Sequence, residues 1–197
     1  MKVMVIGGGG REHAIIKKIK ENKKVSQIFA LPGNGGIAND ADCIDIGAKE
    51  IDKIVDFAVK EKIDYAIVAP DDPLVLGCVD ALESKGIPCF GPDSKAAVIE
   101  GSKVFSKNLM KKYGIPTAEY EVFDDCVKAI EYLETASVPV VIKADGLALG
   151  KGHIGIHRLS DGTIQLVACL LRCKHLPEAG AAHLLQKAAD FRLENDH

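Results

Sequence analysis

Short β-branched runs ending in glycine, each followed by a stretch with helical spacing, organise the first half of the chain. Residues 2–6 (KVMVI) form one such run and stop at four consecutive glycines, which predicts a strand feeding a tight turn. From residue 11 to about residue 21, Ala14, Ile15 and Ile19 suit one face of a helix. A second strand is predicted over 25–31, halted by Pro32-Gly33-Asn34-Gly35-Gly36, and a short third over 43–46. Ile51, Ile54, Val55, Ala58 and Val59 then repeat at helical spacing. Residues 65–69 read as a strand running into Pro70, residues 74–84 as a helix closed by Gly86, and residues 87–90 as the last strand of the set.

Strands alternating with helices of this length imply a parallel sheet with helices on both faces. Ligands of such sheets gather beyond the carboxyl ends of the strands. The turns at 7–10, 32–36 and 70–73 all fall there. Gly91-Pro92-Asp93 marks a change of domain. Beyond it the pattern predicts a helix over 102–113, a strand over 119–123 and a helix opened by Asp124 that runs to about residue 133. A strand over 138–143 enters a second glycine-rich loop at 146–152. Two more helices are expected near 163–173 and 178–192, and no internal repeat is visible.

Composition narrows the classes. A chain of 197 residues, 47% hydrophobic, supports one or two small domains with real cores. A net charge of -3 gives no global basic field directed at nucleic acid. No stretch approaches the roughly 20 apolar residues of a membrane span, and the opening apolar run is too short for a signal peptide. The chain is therefore placed in the cytoplasm, with neither nucleic acid nor membrane as partner. Six cysteines (Cys43, Cys78, Cys89, Cys126, Cys169, Cys173) form no CxxC pair and are expected to be reduced and buried.

The glycines at 7–10, after a strand and before a helix, are suited to an anion, because close backbone approach, exposed N–H groups and the helix dipole all favour negative charge. A dinucleotide site needs GxGxxG, but Glu12 occupies the third glycine position, and shifting the frame by one places His13 there. Nor does the second strand end near the acidic residue that would hold ribose hydroxyls. The second loop is not a Walker P-loop, since Gly152 follows Lys151 where a serine or threonine is required. A strand lysine, Lys143, beside a glycine flap carrying Lys151 suits a grip on nucleotide phosphates.

Six segments together, GGGGREHA (7–14), PGNGG (32–36), PDDPLVLG (70–77), GIPCFGP (86–92), EGSKVFSKNLMKKYGIPTA (100–118) and VVIKADGLALGKG (140–152), closely resemble phosphoribosylamine–glycine ligases in wording, order and spacing. The resemblance implies an α/β chain: a parallel-sheet, Rossmann-like (pre-ATP-grasp) domain over 1–100 on the substrate side, then the start of an ATP-grasp domain over 101–152. It implies ATP and Mg2+, and ligation of glycine to 5-phosphoribosylamine through glycyl phosphate in purine biosynthesis. It places Lys103, Lys143, Gly146, Gly150, Lys151 and Gly152 at ATP. Gly9, Gly10, Arg11, Glu12, Asn34, Gly35 and Asp71 fall on the substrate side. Asp71 stands where many relatives carry glutamate, which keeps the charge but shortens the reach. His13 is expected to pin the turn. No residue is assigned to catalysis or to a metal. The alternative class is a non-catalytic module that binds a sugar phosphate or nucleotide, and a nicotinamide-dependent oxidoreductase is a distant third.

Past Gly152 the motifs stop. Residues 153–197 are expected to be a divergent tail arising from a frameshift, misprediction or truncation, so that this chain alone does not catalyse the reaction. The family's adenine-binding segment and its magnesium-binding residues are missing from them. His153-x3-His157 followed by Cys169-x3-Cys173, with His175 nearby, has a reversed zinc-finger spacing. The apolar, helical pattern of 164–171 favours cysteines facing a core instead.

Overall fold

The computed structural model describes residues 1–123, 126–133, 140–144, 153–154 and 167–171. The chain divides into two units, Met1–Gly101 and Ser102–His197.

The first unit is built on a five-stranded sheet. Its strands are β1 (Lys2–Gly7), β2 (Gln27–Pro32), β3 (Asp42–Cys43), β4 (Tyr65–Val68) and β5 (Cys89–Phe90), in spatial order β3-β2-β1-β4-β5. Every pairing is parallel. The connections are α1 (Gly10–Lys20), a 3-10 turn at Ile37–Asn39, α2 (Ile51–Glu61), α3 (Asp71–Val75) and α4 (Cys78–Glu83), with α5 (Ser94–Gly101) closing the unit.

Period-2 alternation along β1 explains why both faces need helices. Met4 and Ile6 are fully buried with Phe29, Leu31, Ala66 and Val68 against Ile54, Val55 and Ala58 of α2 and Cys78, Val79 and Leu82 of α4. Val3 and Val5 point the other way, into a second core with Ile28, Ala30, Ile37 and Ile16 of α1. The α1 face that meets this core differs from the expected one: Ile16 is fully buried, Ile15 and Ile19 are half-buried and Ala14 is exposed. Helical spacing tolerated either phase; contact with the sheet chose the one that buries the larger side chain.

The helix expected over 74–84 is two helices. Gly77 adopts φ +80, a left-handed conformation that separates α3 from α4. Helix α5, unseen in the sequence pattern, follows Gly91-Pro92-Asp93 and belongs to the first unit. The cysteines are less uniform than expected. Cys78 is buried and Cys89 half-buried, but Cys43 is exposed because it lies on the two-residue edge strand. Burial pushes the Cys78 thiol up to about 12, with a smaller contribution from Cys89. It pushes Cys89 up to about 11, with help from Glu83.

In the second unit, Ser102 caps α6 (Lys103–Lys112), its Oγ accepting the Phe105 N–H at 3.1 Å. Lys107 fastens α6 to the following segment, donating to Thr117 Oγ1 at 2.6 Å and to the Ala118 carbonyl at 2.9 Å. Strand β6 (Tyr120–Phe123) and helix α7 (Cys126–Leu133) follow, and Phe123 packs on Tyr132 with ring centroids 5.2 Å apart. Strands β7 (Val140–Ala144), β8 (His153–Ile154) and β9 (Val167–Leu171) complete a sheet ordered β6-β9-β7-β8. Strand β9 is parallel to both its neighbours, while β8 is antiparallel to β7.

Strand β9 corrects the helix expected near 163–173. A continuous apolar run such as VACLL fits a buried helix or a strand flanked on both sides, and periodicity alone cannot separate them. Asp124, the glycine loop at 146–152 and the helix expected near 178–192 lie outside the described residues.

Two outcomes follow from these packing facts. Ile16→Ala should lower stability by about 2–5 kcal/mol, whereas Ala14→Ser should change it by under about 0.5 kcal/mol, as read by urea unfolding. Iodoacetamide at pH 8 should modify Cys43 well before Cys78 and Cys89, as followed by peptide mass spectrometry; equal rates at the three would contradict the burial described.

Candidate functional site

The ends of β1, β2 and β4 bring three loops together. Gly7 stands opposite Pro32, and Ile6 opposite both Leu31 and Val68. Beyond the strands, the Gly33 N–H donates to the Gly7 carbonyl at 3.2 Å, so the two chains stay paired into their loops. Side chains have no room here. A Cβ on Gly8 would lie 2.4 Å from the Gly33 carbonyl oxygen, and one on Gly7, at φ +121, would lie 2.7 Å from Glu12 Cγ and 2.9 Å from Pro70 Cγ. Close approach of the Gly33 backbone is thus the reason for Gly8, while Gly7 answers to its positive φ and to the side chains of Glu12 and Pro70. Gly10 and Gly35 are different: a Cβ there would meet nothing within 4 Å. They line open space.

Glu12 holds the glycine turn from within. Its carboxylate is buried, accepts the Gly9 N–H at 2.6 Å through Oε2 and pairs with Arg11 Nε at 3.1 Å through Oε1. This is one half of a capping box, with the side chain of the third helical residue reaching back to the N-cap N–H while glycine has no side chain to return the bond. The Gly9 N–H is therefore committed to the protein, while the N–H groups of Gly10, Arg11 and Glu12 belong to a helical turn that has no intrahelical acceptors for them. With the helix dipole behind them they favour an anion. The Arg11 side chain is 66% exposed, so its guanidinium is available at the same end.

Asn34 locks the second loop onto the first. Its Nδ2 donates to the Gly8 carbonyl at 2.7 Å, and its Oδ1 accepts the N–H groups of Gly36 at 2.8 Å and Ile37 at 2.9 Å. His13 Nε2 meets Asp40 Oδ2 at 3.0 Å, and Lys20 Nζ meets Asp40 Oδ1 at 3.0 Å. The His13 hydrogen bond, then Lys20, holds the Asp40 carboxyl below the usual carboxylate range, so this contribution is present above that range and is lost as the pH falls. Asp40 was not singled out in the sequence: it lies 27 residues from His13 and only folding brings them together.

The adjacent acids of the third loop separate by role. Asp72 is buried and forms an ion pair with Lys49, whereas Asp71 is exposed at the carboxyl end of β4. Gly9, Gly10, Arg11, Glu12, Asn34, Gly35 and Asp71 thus all lie in the loops that follow β1, β2 and β4 or in the first turns of the helices α1 and α3 that those loops enter. Of the residues expected at ATP, Lys103 is the first residue of α6 and Lys143 lies in β7, paired across the strands with His153 and Leu170. Gly146, Gly150, Lys151 and Gly152 lie outside the described residues.

Among the described residues no group of three or more His, Cys, Asp or Glu side chains could hold a metal ion. The magnesium implied by the family resemblance has no ligand set among them. His153 and Cys169 of the zinc spacing sit in β8 and β9, and His157, Cys173 and His175 lie outside the described residues. Among the described residues, no helix is long and apolar enough to cross a membrane.

A doubly wound parallel sheet with glycine loops at its switch point, followed by a second sheet unit, defines an α/β protein of the ATP-grasp ligase type. Residues 1–100 match the family described as phosphoribosylglycinamide synthetase, N domain, and residues 101–188 its ATP-grasp (A) domain. The chain belongs to the phosphoribosylglycinamide synthetase family. It is 52% identical over 152 residues to the phosphoribosylamine–glycine ligase of Caldanaerobacter subterraneus, covering 77% of this chain and 36% of the relative. The ligase of Pseudomonas putida is 41% identical over 192 residues, covering 96% of this chain and 44% of the relative. A crystal structure of the ligase from Thermotoga maritima matches with a TM-score of 0.60 at 32% identity, over 78% of this chain and 35% of that one. The chain spans less than half the length of these relatives. The family match to residue 188 and the Pseudomonas alignment both run past Gly152, further than the sequence motifs reached.

Removing the internal cap tests its place in the site. Glu12→Ala should cost about 2 kcal/mol, the order expected for hydrogen bonds to a charged group, with Glu12→Gln losing less. Thermal unfolding of the two variants beside the parent would check this, and equal stability of all three would contradict the cap.

Proposed function

We propose that the first unit holds the ribose phosphate of 5-phosphoribosylamine and that the second unit begins the ATP-binding domain of a carbon–nitrogen ligase. In this reading ATP phosphorylates the glycine carboxylate, and the phosphoribosylamine nitrogen attacks the acyl carbon of glycyl phosphate. The acyl–phosphate bond breaks as the amide forms, giving glycinamide ribonucleotide, ADP and phosphate for purine biosynthesis in the cytoplasm. The partners are these small molecules, with no role for nucleic acid or a membrane.

The observation that carries the reading is the carboxyl edge of the first sheet. There the N–H groups of Gly10, Arg11 and Glu12 at the start of α1, the exposed Arg11 side chain and the open Gly35 lie on adjoining loops. A phosphate monoester carries close to two negative charges, and a helix N-terminus with an arginine answers that charge. The Gly9 N–H and the Glu12 carboxylate shape this turn rather than meet the ligand, since each uses the other as its partner. Asp71, exposed beside the turn, is suited to ribose hydroxyls or to the amine.

Lys103, Lys143 and Lys151 are proposed to face the ATP phosphates, with Gly146, Gly150 and Gly152 giving the covering loop its freedom. The metal that accompanies ATP in such transfers steadies charge on the phosphate oxygens.

Titrating the 197-residue chain with ribose 5-phosphate should give saturable shifts of the Gly10 and Arg11 amide resonances. Arg11→Ala should weaken that binding at least about 10-fold, in line with loss of a charge-assisted hydrogen bond. NAD should produce no such response; a response to NAD in place of ribose 5-phosphate would favour a dinucleotide site. ADP formation that depends on both glycine and phosphoribosylamine marks a ligase, and binding without turnover marks a binding module.

A further inference from the structure

Asn34 and His13 share a feature that a ligand-contacting role does not explain. Both polar atoms of the Asn34 amide are occupied within the protein, Nδ2 by the Gly8 carbonyl and Oδ1 by two backbone N–H groups. Three bonds to backbone leave the amide little to offer a substrate. Instead it ties the turn after β1 to the turn after β2.

His13 supports the same junction from the other side. It rises from the first turns of α1, reaches Asp40 beyond the 3-10 turn, and lies against Gly36, where an added Cβ would come within 3.3 Å of the imidazole Cε1. Lys20, near the end of α1, holds the second oxygen of Asp40. The second loop is therefore fastened to α1 through Asp40 and to the glycine turn through Asn34. It also packs on the imidazole through Gly36.

We propose that His13 and Asn34 are positioning residues, which fix the gap between the glycine turn and the second loop and so set the geometry in which the α1 N–H groups meet a sugar phosphate. This rests on the ribose-phosphate reading of the site. Neither side chain touches the ligand; each acts through the backbone it holds. A displacement of the loop opposite the α1 donors then lowers affinity while the sheet stays intact.

The test compares the parent chain with His13→Ala, His13→Gln and Asn34→Ala by calorimetric titration with ribose 5-phosphate, beside thermal unfolding and the amide shifts of Gly8 to Gly10. Glutamine can present its amide near the place of Nε2, so it is the conservative replacement. The expected result is binding at least about 10-fold weaker for His13→Ala and Asn34→Ala, near-parent affinity for His13→Gln, and amide shifts at the glycine turn in Asn34→Ala. Should an alanine variant fail to fold, Asp40→Asn serves as the milder break: it removes the charge that His13 and Lys20 share, and it should weaken binding in a folded protein. A parent chain that binds with variants that bind equally well overturns this proposal alone. A parent chain that does not bind ribose 5-phosphate overturns the ribose-phosphate reading, and the positioning role with it.

Discussion

The first unit depends on a close backbone approach at the carboxyl ends of β1 and β2. Gly8 lies so near Gly33 that no side chain fits between them, and the Gly33 N–H continues the strand pairing into the loops. That approach lets Asn34 span from one turn to the other and presents the start of α1 toward open space. It is possible only because two-sided burial fixes the register of β1 against β2. A one-residue slip would carry Met4 and Ile6 from one core to the other.

Charge is arranged around this junction with a division of labour. Anionic groups close to the turn are neutralised within the protein: Glu12 by Arg11 and the Gly9 N–H, Asp40 by His13 and Lys20, and Asp72 by Lys49. Paired carboxylates of this kind organise a loop without repelling an incoming anion. Asp71 is set apart by its exposure.

The second unit shows the same dependence on pairing at the level of the backbone. Lys143 lies on a strand whose neighbours, β8 and β9, come from residues after the glycine loop. The segment beyond Gly152 thus supplies strands to the sheet, in keeping with a family match that continues to residue 188.

What the sequence determined by itself was local and periodic. The β-branched run of β1, the helical spacing of α2 and the glycine clusters are all properties of neighbouring residues, so the parallel α/β architecture and the three loops at its carboxyl edge were legible before folding. Six motifs in order carried the family. Tertiary structure decided the matters that depend on residues distant in the chain. It selected Ile16 as the buried residue of α1, left Cys43 exposed on an edge strand, and made a strand of the apolar run at 167–171. It also gave Asn34 and the Glu12 carboxylate hydrogen-bond partners within the protein, and it brought Asp40 to His13. Each of these outcomes turns on which partner lies across space, and a one-dimensional pattern records only which partners are chemically acceptable.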